Sequence, residues 1–153
     1  MTWAVVRIRG KVRRSAPVTD TLRMLRLTRQ NHCVLVPETP AYRGMVQRVK
    51  DFITWGEVSP ETIAKLLLKR GRLTDAAVKS NSRFKSVWDF AQALAKGEAT
   101  VADVKGLTPV LRLHPPRGGF EATKRPFRDK GSLGYRGTDI NDLIERMIFE
   151  EAA

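Results

Sequence analysis

The change of hydrophobic period along residues 2–58 constrains the fold more than any other feature of this 153-residue chain. Short runs rich in β-branched residues, typical of strands, alternate with stretches whose apolar residues recur every three or four positions, as in an amphipathic helix. The predicted elements are a strand over 3–9, a helix over about 20–30, a strand over 32–36, a helix over about 40–52 and a short strand over 53–58. This β-α-β-α-β order indicates an α+β fold.

The rest of the chain is predicted to add a helical extension and a basic, irregular C-terminal part. Residues 59–105 contain an N-cap, proline and acid at 59–61 that start a helix over 61–70, followed by an amphipathic helix over 87–95 and a turn over 100–104. Beyond these lie a strand over 110–113, a basic Pro/Gly-rich loop over 112–136 and a terminal helix over 138–151. We therefore expect three segments: a core over 1–58, a helical extension over 59–105 and the strand, loop and helix of 106–153.

An excess of positive charge limits the kinds of partner. The chain has 28 Lys and Arg residues against 16 Asp and Glu, a formal net charge of +12, although 42% of its residues are hydrophobic and can bury a core. Such an excess on an otherwise ordinary globular chain requires an anionic partner, and nucleic acid fits best. A membrane surface or an acidic protein is disfavoured because the basic stretches lack neighbouring exposed apolar residues.

The cations are concentrated in the first strand and its loop, in the first helix and in the 112–136 loop. On the first helix Arg23, Arg26 and Arg29 recur every third residue and are predicted to form a stripe of positive charge. Arginine predominates there, and a guanidinium makes bidentate phosphate contacts and stacks on bases. Phe120, Phe127 and Tyr135 lie among the charges and suit either base stacking or packing against the protein. The candidate RNA-binding residues are Arg7, Arg9, Lys11, Arg13, Arg14, Arg23, Arg26, Arg29, His32, Arg43, Arg48, Lys50, Arg112, His114, Arg117, Lys124, Arg125, Arg128, Lys130 and Arg136.

Catalytic chemistry finds no support in the sequence. No Gly-rich phosphate loop ends in Gly-Lys-Ser/Thr, and no paired carboxylates or Ser, His and Asp arrangement stands in a motif. Two histidines and one cysteine do not make a metal site, and Cys33, inside an apolar run, is predicted to be a buried structural thiol. We therefore expect no enzyme activity and no cofactor. We also expect a cytoplasmic location, because no apolar stretch reaches the length of a spanning helix.

Several motifs resemble the ribosomal protein L30 family, whose eukaryotic counterpart is L7. The residues that carry the resemblance are Thr21-Leu22-Arg23-Met24-Leu25-Arg26-Leu27, Asn31-His32-Cys33-Val34, Thr39-Pro40-Ala41-Tyr42-Arg43-Gly44-Met45, Leu68-Lys69-Arg70-Gly71, Leu111-Arg112-Leu113-His114-Pro115-Pro116-Arg117-Gly118-Gly119 and Asp139-Ile140-Asn141-Asp142-Leu143-Ile144-Glu145-Arg146-Met147. The last three groups look like the longer archaeal and eukaryotic type, and the lack of a long basic N-terminal extension favours the archaeal one.

This resemblance implies a three-stranded antiparallel sheet with helices packed against it, similar to a ferredoxin-like fold. It also implies a non-catalytic place on large-subunit rRNA close to 5S rRNA, beside neighbouring ribosomal proteins and away from membranes. Within the motif, Arg43 and Gly44 begin the second helix, where free amides and the arginine could hold a phosphate; an intrachain salt bridge is the alternative for Arg43.

A DNA-binding regulator is the competing hypothesis. Residues 62–68 and 71–78 can be drawn as a helix, a turn and a second helix. The second of these helices offers few side chains that could read bases, and most of the charge lies elsewhere.

Overall fold

The computed structural model describes residues 2–10, 16–104, 107, 109–120 and 122–148. The strands in these ranges are β1 (Thr2–Arg7), β2 (His32–Pro37), β3 (Ile53–Glu57), β4 (Leu111–Arg112), β5 (Ala122–Pro126) and β6 (Gly131–Tyr135). The helices are α1 (Ala16–Met24), α2 (Pro40–Arg48), α3 (Pro60–Lys69), α4 (Asp75–Asn81), α5 (Val87–Lys96) and α6 (Ile140–Met147). Short 3-10 turns lie at Val101–Asp103, Phe127–Asp129 and Gly137–Asp139. The α+β class and the initial β-α-β-α-β order are confirmed.

The sheet is wider than the predicted one. Its strand order is β4-β2-β1-β3-β6-β5, with β1 antiparallel to both β2 and β3 in the centre. The antiparallel three-stranded prediction is right for this centre and wrong for the whole, because β4 extends the β2 side and β6 and β5 extend the β3 side. Strand β6 runs parallel to both β3 and β5, so the sheet is mixed. Each added strand satisfies backbone groups that an edge would leave unpaired.

Helices cover both faces of the sheet, and this explains why every residue of β1 is buried. Successive side chains of a strand point to opposite faces. On one face Trp3 and Val5 pack in a core with residues of α1 and α2. On the other, Ala4 and Val6 pack in a core with residues of α3, α4, α5 and α6. The helical extension and the terminal helix therefore share a core with the first 58 residues.

Helix α1 ends earlier than predicted, which corrects the proposed stripe of helical arginines. The amide of Leu27 donates to the carbonyl of Leu22 (2.8 Å) and that of Arg26 to the carbonyl of Arg23 (2.9 Å), while Arg26 has φ = 64°. This is a Schellman closure, and the paired apolar residues Leu22 and Leu27 are both buried. Arg26 and Arg29 consequently lie after the helix, and only Arg23 lies on it.

Polar caps position the helices of the extension. Ser59 Oγ accepts the amide of Thr62 (3.3 Å), Ser86 Oγ that of Asp89 (3.2 Å) and Thr74 Oγ1 that of Ala77 (3.2 Å). The helices predicted over 61–70 and 87–95 correspond to α3 and α5. Helix α4 follows α3 as the DNA-binding hypothesis required, but Val78 is buried in the core and nothing else supports that hypothesis.

The basic 112–136 region is not one irregular loop. The Pro/Gly part lacks helix or strand over 113–120 and is held on the end of α6, where the Met147 carbonyl accepts the His114 amide (3.3 Å). Beyond it, β5, a 3-10 turn and β6 replace the predicted loop. The terminal helix is confirmed as α6; its predicted continuation past residue 148 lies outside the described residues.

Two further observations bear on the excluded functions. Cys33 is fully buried, and burial raises the pKa of its thiol to about 12, so the predicted structural thiol is confirmed. Among the helices of the described ranges, none is long and apolar enough to cross a membrane.

Candidate nucleic-acid interface

Strand β5 and the turn after it bring four predicted cations together on an edge of the sheet. Lys124 and Arg125 belong to β5, Arg128 to the 3-10 turn, and Lys130 caps that turn with φ = 63°. All four side chains are exposed. Because β5 is the outermost strand, charge on it also discourages pairing with another strand. We call Lys124, Arg125, Arg128 and Lys130 the β5 cations, and together they present a compact positive surface.

An open groove of about 520 Å³ lies beside this surface, between the end of α2 and strands β3, β5 and β6. We call it the aromatic groove. Its lining residues are Gln47, Lys50, Asp51, Trp55, Lys124, Pro126, Phe127, Arg128, Leu133, Gly134 and Tyr135. The predicted RNA-binding residues Lys50, Lys124 and Arg128 thus meet at one groove although more than 70 positions separate Lys50 from Lys124 in sequence. Asp51 is the acidic member among the lining residues described.

Tyr135 is held in the aromatic groove by its backbone and by its hydroxyl group. Its backbone pairs with Trp55 of β3, and the two rings lie 6.2 Å apart at 49°. Its hydroxyl donates to the Glu57 carboxylate at 2.6 Å, and this hydrogen bond is the main cause that raises the pKa of Tyr135 to about 12. The side chain nevertheless remains 52% exposed. The ring is therefore both held in place and accessible.

Phe127 lines the same groove under a cation. The Arg136 guanidinium lies 4.9 Å from its ring centre, donates from Nε to Thr54 Oγ1 (2.8 Å) and donates from Nη2 to the Ser132 carbonyl (2.8 Å). Arg136 thus ties β6 to β3 and supports Phe127, so its donors are already engaged. Phe120, the third aromatic residue suggested for stacking, instead packs against the core that contains α6.

Arg7 is the main correction to the predicted set. It is 1% exposed, and its guanidinium donates from Nη1 to the Leu27 carbonyl (2.7 Å) and from Nε to the Arg9 carbonyl (2.9 Å). A buried side chain with these partners holds the α1–β2 connection and is not available to RNA. Arg9 is partly exposed; its guanidinium lies 5.3 Å from the Phe52 ring centre and donates to the carbonyl of Asp51, a groove residue.

The opposite edge of the sheet carries a second positive cluster. Arg112 of β4 pairs in register with His32 of β2, and Arg29 precedes β2. Burial lowers the pKa of His32 below its ordinary value, and repulsion from Arg112, Arg29 and Arg7 lowers it further. Its Nδ1 atom is buried and has no hydrogen-bond partner among the described residues. A neutral imidazole therefore lies near the exposed guanidiniums of Arg29 and Arg112 and the buried one of Arg7.

Several groups at the start of α2 that the motif was predicted to offer to a phosphate already have partners within the chain. Thr39 accepts the amide of Tyr42 on its side chain (3.4 Å) and that of Arg43 on its carbonyl (2.9 Å). Arg43 Nη2 lies 2.7 Å from Glu38 Oε1, the salt bridge named as its alternative, and Gly44 lies inside the helix. Arg43 remains partly exposed, but its charge is shared with Glu38.

Arg117 and His114 lie apart from the β5 cations. Both belong to the segment held on α6, and the Arg117 carbonyl accepts from Arg146 Nε at 3.1 Å. Arg117 lines a smaller groove of about 310 Å³ with Lys65, Lys69, Glu145 and Ile148. The grouping of Arg117 with the β5 cations is therefore not supported.

The remaining candidates fall on the outer surface or outside the description. Arg23, Arg26 and Arg48 are exposed on or beside α1 and α2. Lys11, Arg13 and Arg14 lie outside the described residues. Sequence reasoning missed the groove residues Gln47, Asp51 and Trp55, since no local pattern links them to β5.

No group of three or more His, Cys, Asp or Glu residues that could hold a metal occurs in the part of the chain that is described. Fold and surface together define a small basic α+β protein whose exposed cations suit a polyanionic partner.

The comparisons with known proteins identify the family. Residues 3–53 match the family model described as ribosomal protein L30p/L7e. The chain is 51% identical over 152 residues to large ribosomal subunit protein uL30 of Methanoregula boonei, covering 95% of this chain and 99% of the relative. The uL30 proteins of Methanoculleus marisnigri and Methanopyrus kandleri are each 49% identical, covering 95% and 92% of this chain and 99% and 100% of the relatives. The chain belongs to the ribosomal protein L30p/L7e family, as the motifs indicated.

Proposed function

We propose that this protein is a structural constituent of the large ribosomal subunit that binds rRNA through Arg and Lys contacts to phosphate. The observation that carries the proposal is near-full-length similarity to proteins named as large-subunit components, at about half identical residues. A component with this role acts in the cytoplasm, within the ribosome, and performs no catalysis.

The distribution of charge supports contact with more than one RNA segment. The β5 cations and the aromatic groove lie at one edge of the sheet, and Arg29, His32 and Arg112 lie at the other. Two positive edges on a sheet stiffened by helices on both faces can brace separate RNA strands. Neutralising phosphates releases condensed counterions, so affinity gained in this way falls as salt rises.

The finer placement rests on the family resemblance. We place the protein on large-subunit rRNA close to 5S rRNA, beside neighbouring ribosomal proteins, and retain the candidate RNA-binding residues other than the buried Arg7. The three predicted segments, divided at residues 58 and 105, share one core. We therefore propose that they differ in charge and composition and are not separate folding units.

Cosedimentation tests the proposed function. The protein should remain with large subunits in a sucrose gradient after a stringent salt wash of ribosomes from the source cells. Recovery in chromatin, with none on large subunits, would overturn the proposal. Sequencing the RNA crosslinked to the purified subunit-bound protein then tests the placement separately, since crosslinks confined to regions remote from 5S rRNA would remove that part alone.

A further inference from the structure

We infer that the aromatic groove holds one unpaired RNA base, stacked on Tyr135, while the adjoining phosphates contact Lys50, Lys124 and Arg128. The inference rests on the proposed function, since it takes the occupant to be RNA, and it assigns a nucleotide subsite to one edge of the sheet.

The stacking surface is already formed in the structure. Tyr135 is held by its pairing with Trp55 and by the hydrogen bond to Glu57, so little side-chain freedom is lost when a base covers the ring. Tyr135 is one of the few large apolar or aromatic side chains that remain mostly uncovered in the described ranges, at 52% exposure. An exposed aromatic ring that is rigidly held inside a groove is suited to stacking.

The charges around this ring favour a nucleotide over an apolar peptide. Lys50, Lys124 and Arg128 are exposed and form no ion pair with the described residues, whereas Asp51 is the single carboxylate in the groove lining. Three free cations beside an aromatic surface match the phosphates and the base of a nucleotide. Gln47 and the Asp51 carboxylate supply polar groups for the edge of the base.

The shape selects an unpaired base over a duplex. The groove, at about 520 Å³, falls in the range of roughly 300 to 1,000 Å³ that is typical of small-ligand pockets. Stacking requires the flat face of a base, which a continuous helix covers with neighbouring base pairs and which single strands, bulges and loops expose.

A fluorescent single strand tests the inference. The probe is a single-stranded RNA octamer with one 2-aminopurine, whose emission falls when the base stacks, and an unlabelled duplex of the same sequence serves as comparison. Tyr135→Leu keeps an apolar side chain but removes the ring, and we expect it to weaken single-strand binding about tenfold, as loss of a stacked base does. Quenching should disappear, and duplex affinity should change little.

Three variants make the result specific. Trp88→Leu removes an aromatic residue that is 44% exposed on α5, away from the groove, and should leave binding and quenching unchanged. Tyr135→Phe retains the ring and should retain quenching. Phe127→Leu alters the lining of the same groove, so a base bound there should lose part of its contact surface and of its quenching. This variant keeps the inference testable if Tyr135→Leu does not fold by circular dichroism.

The outcomes separate the inference from the function on which it rests. Unchanged quenching in folded Tyr135→Leu or Phe127→Leu, or an equal loss in Trp88→Leu, overturns the groove assignment. If the same variants still bind purified large-subunit rRNA with wild-type affinity and salt dependence, the proposed function stands without the subsite. Failure of the wild-type protein to bind either RNA overturns both.

Discussion

The guanidinium of Arg7, at the end of β1, donates a 2.7 Å hydrogen bond to the carbonyl of Leu27, which follows helix α1. Both residues are buried, so this contact joins the centre of the sheet to the α1–β2 connection. Replacing Arg7 with methionine keeps the apolar stem but leaves the Leu27 and Arg9 carbonyls without this donor. We expect the free energy of unfolding in urea to fall by about 2–3 kcal/mol, since hydrogen bonds to charged groups contribute roughly 1.5–3 kcal/mol.

Arg48→Met is the matched control for Arg7→Met. Arg48 is exposed on α2, and its replacement should change the free energy of unfolding by less than about 0.5 kcal/mol. Equal stability of Arg7→Met and wild type would contradict this, because it would mean that the desolvation cost of the buried guanidinium cancels the contribution of its hydrogen bonds.

Arg26 occupies a backbone conformation that glycine adopts at lower cost. It has φ = 64° at the Schellman closure of α1. Arg26→Gly should raise the free energy of unfolding by about 1 kcal/mol, because a left-handed conformation costs roughly 1–2 kcal/mol for residues with a Cβ. Arg23→Gly, inside the last turn of α1, should lower it by about 1 kcal/mol. Destabilisation by both substitutions would show that the Arg26 side chain matters more than its backbone strain.

The elements that were predicted correctly are those with an apolar face. Strands β1, β2 and β3 and helices α2, α3, α5 and α6 each bury such a face, and burial is what hydrophobic periodicity reports. Strand β5 escaped prediction because Ala122, Thr123, Lys124 and Arg125 are all exposed, and it is a strand only through its pairing with β6. Local sequence carries no signal for such an edge strand.

The sequence predicted which charged residues could bind RNA, but it did not predict which of them are buried or which residues lie close together. Arg7 and Arg9 alternate on a strand as an exposed pair would, and nothing local shows that the chain after α1 returns to cover Arg7. Conversely, Trp55 and Tyr135 meet across the β3–β6 pairing, which joins residues 80 positions apart. Contacts between residues far apart in the chain decide both the burial of Arg7 and the closeness of Trp55 and Tyr135. Local hydrophobic periodicity in a single sequence does not reveal such contacts.

Two glycines should respond in opposite ways to alanine. A Cβ on Gly44, inside α2, would meet nothing within 4 Å, so Gly44→Ala should stabilise the protein by about 0.5–1 kcal/mol. A Cβ on Gly56, in β3, would overlap the carbonyl oxygen of Gly137 and lie 3.1 Å from the Ile140 Cβ. Gly56→Ala should therefore lower the free energy of unfolding by about 1–3 kcal/mol, measured in urea.

The Gly44 and Gly56 pair also reports on how α6 is attached. Gly56 permits the turn before α6 to cross β3 closely, so Gly56→Ala should increase hydrogen exchange in α6 more than in α5. Equal stability of the two variants, or equal exchange in the two helices, would contradict this close approach.

Three of the β5 cations should determine part of the salt dependence of rRNA binding. Lys124, Arg125 and Arg128 are exposed together at the sheet edge, and each phosphate contact contributes roughly 0.7–0.9 to the slope of log K against log salt concentration. Replacing all three with alanine should reduce the magnitude of that slope by about 2–3, as measured by filter binding to purified large-subunit rRNA.

Lys79, Lys85 and Lys96, exposed on and between α4 and α5, give a control triple variant with the same loss of charge. A control slope equal to that of wild type would locate the contacts on β5, whereas equal reductions in both variants would mean that net charge alone governs binding. An unchanged slope in the β5 variant would mean that this edge does not meet phosphate, and the Arg29, His32 and Arg112 cluster would then be the surface to alter next.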